Sequence, residues 1–193
     1  MTVEIITPPA MARWRDVMRP EFARRVMAVI ADRVENLVRR HLLRIVPAHH
    51  IWATKLGAQP TGHLEKGARA TTATHGTDFA EVAIPIPGIS RAFHNLSIVP
   101  KNKAALTIPI AAASYGHRVS ELRGIGWAIF RPKGKDVLMG TPQGGGEAVP
   151  LYLLKKRVEQ RQDRTLLPSD AEIAAEASRA IMGMLDRIAK GAA

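Results

Sequence analysis

Cysteine is missing from all 193 residues. Its absence excludes disulfides, thiol nucleophiles and thiolate zinc sites. Aromatic residues are scarce, at 5%, and much of the 46% apolar content is alanine. Burial per residue should therefore be modest, and part of the stability is expected to come from assembly with other copies. No apolar run approaches the ~20 residues that a membrane helix needs. Met1 to Pro9 offers only Val3, Ile5 and Ile6 as an apolar patch, which does not make a signal peptide. The expectation is a soluble chain with no membrane partner, intracellular at synthesis.

Catalytic signatures are missing too. The seven histidines (His41, His49, His50, His63, His75, His94 and His117) fall in no His-Glu-x-x-His frame and at no ligand spacing with acids. The glycine triplet at 144–146 lacks the Gly-Lys-Ser/Thr of a phosphate-cradling loop. Ser90, Ser97, Ser114 and Ser120 lack the Gly-x-Ser-x-Gly elbow. No catalytic, cofactor or metal-binding set is nominated, and a non-enzymatic role is expected.

Positive charge is the main chemical feature. The chain carries 28 Lys and Arg against 17 Asp and Glu, a formal charge of +11. The densest imbalance runs from Arg91 to Lys135, where Glu121 is the only acid. Such a surface suits nucleic acid or an acidic protein face, although a solvated basic face needs neither. A dedicated reader of DNA sequence would add a recognition helix or an aromatic platform, and neither is legible. Lys101 and Lys103 sit on one turn, and Arg131, Lys133 and Lys135 on another. At loop tips these side chains can reach phosphates without reading bases. They are the candidate residues facing DNA or a partner.

The stretch from Thr71 to Ile110 reads as three short strands, Phe79 to Ile86, Ala92 to Val99 and Ala105 to Ile110. Apolar residues alternate along each. Pro87-Gly88 and the segment 100–103 supply the turns, so these strands should pair as a small antiparallel sheet. Before them, a helical stripe from Phe22 to Ile45 predicts a long helix over 21–46, closed by Pro47. His49 to Leu56 suggests a further turn or two of helix, and Thr61 a cap for a short helix to Ala70. Ile125 to Met139 predicts a hairpin around Gly134, and Leu151 to Val158 a last strand. Ser169 and Glu172 have capping-box spacing, which predicts a C-terminal helix over 169–190 with Ile173, Ala177, Ile181, Met184, Leu185 and Ile188 on one stripe. The fold class is α+β: a small, mostly antiparallel β-sheet packed by a long N-terminal helix and a C-terminal helix. The expected organisation is an arm over 1–20 with a short helix near 10–18, then one domain over 21–193. Its sheet region spans 71–158, with a mobile loop at 140–150. The arm and that loop are expected to order on assembly.

Thr61-Gly62-His63-Leu64 resembles the Thr-Gly-x-Leu element of tailed-phage virion morphogenesis proteins, the tail-completion and head–tail neck group that includes HK97 gp10-like proteins. A longer block is similar to the same group. It runs through an Ile-x-Pro-Lys turn (Ile98 to Lys101), a Leu-Thr-Ile-Pro strand (Leu106 to Pro109) and the turn Ser114-Tyr115-Gly116-His117-Arg118. The resemblance covers roughly residues 48–120. It implies a structural virion protein at the head–tail junction, made in the host bacterial cytoplasm. The implied partners are further copies of the chain in a six- or twelve-fold ring, the neighbouring portal/adaptor, neck or tail-tube proteins, and the phage DNA in the channel. No Glu-x-Gly-Thr strand end follows downstream, so neck, tail-terminator and tail-completion roles all stay open. The alternative is a free protein that binds nucleic acid non-specifically through its basic surface.

Overall fold

The computed structural model describes residues 2–4, 19–86 and 88–190. The short helix expected near 10–18 lies outside them. In chain order the elements are β1 (Thr2–Glu4), α1 (Pro20–His49), α2 (Ile51–Lys55), α3 (His63–Ala70), β2 (Thr72–His75), β3 (Ala80–Ala83), α4 (Ile89–Ala92), β4 (Leu96–Ile98), β5 (Leu106–Pro109), α5 (Val119–Gly124), β6 (Ala128–Phe130), β7 (Val137–Thr141), β8 (Val149–Lys155), β9 (Val158–Gln160) and α6 (Asp170–Ala189). The fold is α+β, with a long N-terminal and a C-terminal helix packing on small antiparallel sheets. Where the sequence pattern suggests one domain over 21–193, the chain divides into two compact units. Met1–Val46, Leu64–Phe93 and Asp163–Ala193 form the first, and Pro47–His63 with His94–Gln162 the second.

The first unit is built on α1. Pro20 occupies its first position, where a missing N–H is no loss, and the N–H groups of Phe22 and Ala23 bond to Arg19 O. Val26, Ile30, Val34, Val38 and Leu42 recur every four residues and are buried. They form one core with Ala80, Val82 and Ile84 from the sheet side and Ile173 and Ala180 from α6. The helix runs through Pro47 to His49, past the expected stop. Proline removes the one N–H that would bond Leu43 O, and Leu43 is half exposed near the helix end, where water can serve that carbonyl.

The sheet of this unit has the order β1-β3-β2. Thr2 pairs with Ala83 on one side and Thr72 with the same residue on the other. β2 escaped the sequence reading because Thr-Ala-Thr-His shows no apolar alternation, and as an edge strand it needs none. Thr71, fully buried, ties the junction together. Its hydroxyl donates to Gly67 O at 2.8 Å, and its carbonyl accepts from Arg39 Nη2 at 2.7 Å. The capping box on α6 forms as expected. Ser169 N donates to Glu172 Oε2 at 2.8 Å, and Glu172 N donates back to Ser169 Oγ at 3.3 Å. Along α6, Ala180 replaces Leu185 on the buried side, and Leu185 is exposed.

The expected three-stranded sheet over 71–110 does not form. Its strands go to three different sheets: β3 pairs with β1 and β2, β4 with β9, and β5 with β8. Alternation reports which face of a strand is buried and says nothing about its partner. Residues 89–92 are helical and take in Ala92, the first residue of the strand expected over Ala92 to Val99, of which only Leu96–Ile98 is strand. The helix puts Ile89 and Phe93 one turn apart and both inside. The predicted strand Leu151 to Val158 is β8 followed by a bend and the start of β9.

The second unit contains the β4-β9 ladder and a four-stranded antiparallel sheet of order β5-β8-β7-β6. The predicted hairpin is present as β6 and β7, with Ala128 opposite Thr141. Gly134 has φ +72°, which suits its turn. β7 and β8 extend into the expected loop at 140–150 and leave only 142–148 between them. Leu122, Ile129, Leu151 and Tyr152 make a small core. Pro109 sits at a position of β5 whose N–H would point away from β8, since Ile110 N is the donor to Leu151 O. The outer edge of β5 therefore has one donor fewer to offer a neighbour.

Candidate functional site: a basic rim on the four-stranded sheet

The strand register places three connections at one end of this sheet. β5 starts opposite the end of β8, with Leu106 facing Lys155. β7 starts opposite the same part of β8, with Val137 facing Leu153. β6 ends opposite the first half of β7, with Phe130 facing Met139. The segments 99–105, 131–136 and 155–157 therefore leave the sheet on the same side. The five expected basic residues, Lys101, Lys103, Arg131, Lys133 and Lys135, are thus brought together, and all are exposed. Lys155, Lys156 and Arg157 join them, also exposed. Their Lys-Lys-Arg run was visible in the sequence, but its place on the rim depends on the pairing of residues 106 and 155.

Two of these eight side chains are committed locally. Arg131 closes its own turn, with Nε donating to Lys135 O at 2.8 Å and Nη2 to Asp136 Oδ1 at 2.9 Å. Arg157 pairs with Glu159. Among the described residues no carboxylate pairs with Lys101, Lys103, Lys133, Lys135, Lys155 or Lys156. The far end of the sheet is more balanced, because Glu121 lies near both His117 and Arg118 at 3.8 and 3.9 Å. With strands ~4.8 Å apart, four strands make a rim roughly 14 Å wide. That spans about four phosphates of one DNA strand at ~3.4 Å each along the axis. Six ammonium groups on turns act as point charges toward such a backbone and do not discriminate bases.

A second arrangement in this unit involves the family-like motifs. The helix expected to be capped by Thr61 starts at His63, so Thr61 stands one residue ahead of the cap position. Its methyl lies 3.0 Å from where a Cβ on Gly116 would be, and Gly116 has φ +77°. Ser114, fully buried, donates from Oγ to Leu151 O at 2.6 Å. Tyr152 donates its phenol to His117 O at 3.0 Å. Burial, and secondarily the Glu121 carboxylate, raises the Tyr152 phenol above its ordinary range, so it stays a donor at neutral pH.

Among the described residues no three His, Asp or Glu side chains gather where they could hold a metal ion. No described helix is long and apolar enough to cross a membrane. Compared with protein-family models, curated proteins and solved structures, the chain matches none.

Proposed function

We propose that the chain is a structural component of a tailed-phage virion, acting at the head–tail junction as a neck, connector or tail-completion protein. The observation that carries this reading is the meeting of its two family-like motifs. Thr61 of the Thr-Gly-x-Leu element packs on Gly116 of the Ser-Tyr-Gly-His-Arg turn, although the two are far apart in sequence. A chance likeness of short strings would not be expected to fold into one corner, with Ser114 and Tyr152 locking the turn to β8. In this reading the function is geometric. Copies associate into a ring of six or twelve, which meets portal/adaptor, neck or tail-tube proteins. The edge strand β6, which ends in Phe130 at 48% exposure and follows Ile125 at 65%, is open to such contacts. The basic rim then faces the path of the DNA.

The test is the mass of the full chain in solution by light scattering, at moderate and high salt, alone and mixed with a tail-tube or portal protein of the same phage. A defined ring that persists at high salt is the expected result. A monomer under every condition, with or without those proteins, would overturn the reading.

The rim by itself favours a second reading, a free protein that binds nucleic acid without sequence preference. The two separate on salt. Phosphate contacts weaken steeply as salt rises, whereas apolar contacts between copies persist.

A further inference from the structure

The first unit holds a second charged feature, independent of the virion reading. An open cleft of about 550 Å³ lies between α1 and α6. Arg33, Leu37, Arg40 and Arg44 line it from one stripe of α1, facing Glu172, Glu176 and Arg179 of α6. Arg40 and Arg44 are four residues apart, a spacing at which like charges on a helix oppose each other. The two glutamates answer only part of this charge. Glu176 is buried, with Oε2 held at 2.7 Å by Arg179 and Oε1 3.9 Å from Arg33. Glu172 has one oxygen committed to the α6 cap, accepting from Ser169 N at 2.8 Å and Ser169 Oγ at 2.9 Å. Its other oxygen is 3.9 Å from Arg44. Arg40 has its Nε on the carbonyl of Asn36, at 3.3 Å, and among the described residues no carboxylate partner.

His41 fixes the orientation of the site. The ring is buried, and its Nε2 lies 2.8 Å from Thr165 O, an atom that can only accept. The proton is therefore on Nε2, and Nδ1 accepts from Arg44 Nη2 at 3.0 Å. One edge of the Arg44 guanidinium is pinned by this bond while the side chain stays 67% exposed. A positioned guanidinium beside one that has no counter-ion among the described residues is an arrangement suited to a bidentate oxyanion.

We propose that this cleft binds a phosphoryl group, held between the guanidinium groups of Arg40 and Arg44 with Arg33 further along the stripe. A phosphate dianion would balance the excess of four arginines over two glutamates, and its tetrahedral oxygens accept from two forks at once. The cleft is larger than one phosphate, so the group can come as free phosphate or as the terminal phosphate of a short nucleic acid.

The test uses the full chain labelled with ¹⁵N, following the arginine Nε–Hε signals. It is titrated with inorganic phosphate, with pyrophosphate, and with a dinucleotide with or without a 5′-phosphate, against chloride at matched ionic strength. Saturable shifts concentrated on Arg40, Arg44 and Arg33 are expected. Arg40→Ala should weaken binding about tenfold or more, and Arg40→Lys less, because lysine keeps the charge without the fork. Lys133→Ala, on the rim, should leave it unchanged. Equal binding of phosphate and the 5′-phosphorylated dinucleotide would assign the terminal phosphate as one source; binding of the inorganic ions alone would assign a free phosphate. Shifts spread evenly over all arginines, failure to saturate, or full affinity in Arg40→Ala would each overturn the proposal.

Discussion

If the basic rim contacts DNA, as proposed, removing the two lysines at the tip of the 131–136 turn should change how the protein's affinity for DNA depends on salt. If the rim covers about four phosphates, log K should fall with log salt at a slope of roughly −3.6. Between 50 and 200 mM salt, that slope means a loss of affinity of roughly 150-fold. Lys133→Ala with Lys135→Ala removes two of the six rim lysines, none of which pairs with a carboxylate among the described residues, so the slope should flatten by up to about 1.8. Arg131→Ala should move it little, because that guanidinium already bonds Lys135 O and Asp136. The assay is fluorescence anisotropy of a mixed-sequence duplex over a series of salt concentrations. Lys66→Ala with Lys190→Ala, two exposed lysines of the first unit, serves as the control. If the rim and control variants flattened the slope equally, binding would follow net charge alone and the rim would have no special role. An unchanged slope in the rim variant would remove the rim from the DNA contact altogether.

Three further outcomes follow from the packing. Leu42→Ala empties a fully buried position in the core of the first unit and should cost about 2–5 kcal/mol, read from urea unfolding. Ser114→Ala removes a buried hydroxyl that donates to Leu151 O, and should cost about 1–3 kcal/mol with loss of order at the 114–118 turn in amide exchange. Ser169→Ala should cost about 1 kcal/mol at neutral pH through the lost cap. The Glu172 carboxyl is held below its ordinary 4.5, first by the backbone N–H of Ser169 and then by its hydroxyl. A depressed folded value means that the stabilisation from ionised Glu172, separate from the cap bond to Glu172 N, is complete above about 4.5, the ordinary value, and is lost as pH falls through the folded value. Ser169→Ala keeps the backbone N–H and removes only the hydroxyl's share, so the difference between wild type and variant should shrink only in part on acidification, which unfolding curves at neutral and acid pH would check.

The elements legible in the sequence were those specified by local chemistry. The stripe of α1 announces itself from Phe22 to Ile45, and the Ser169–Glu172 box marks the start of α6 to the residue. The 131–136 turn needs only Gly134 and the flanking alternation. Pairing was not legible, because Leu106 facing Lys155 or Ser97 facing Glu159 depends on contacts between residues far apart in the chain. The one sheet expected over 71–110 failed for that reason, and so did the place of Lys155, Lys156 and Arg157 on the rim. Single residues do not set helix boundaries here: Pro47 lies inside α1, and Thr61 stands ahead of the cap position of α3. The oriented Arg44 was hidden for a similar reason: His41 shows only as one more residue on a helix until Thr165 arrives to fix its tautomer.

The measurement that bears most directly on the virion role is electron microscopy of the particles made by a lysogen from which this chain has been deleted. Heads and tails that accumulate unjoined, or tails that are not completed, with joining restored by the chain supplied in trans, are the predicted result. Complete particles in normal number, joined and infectious, would mean that the chain has no place at the head–tail junction.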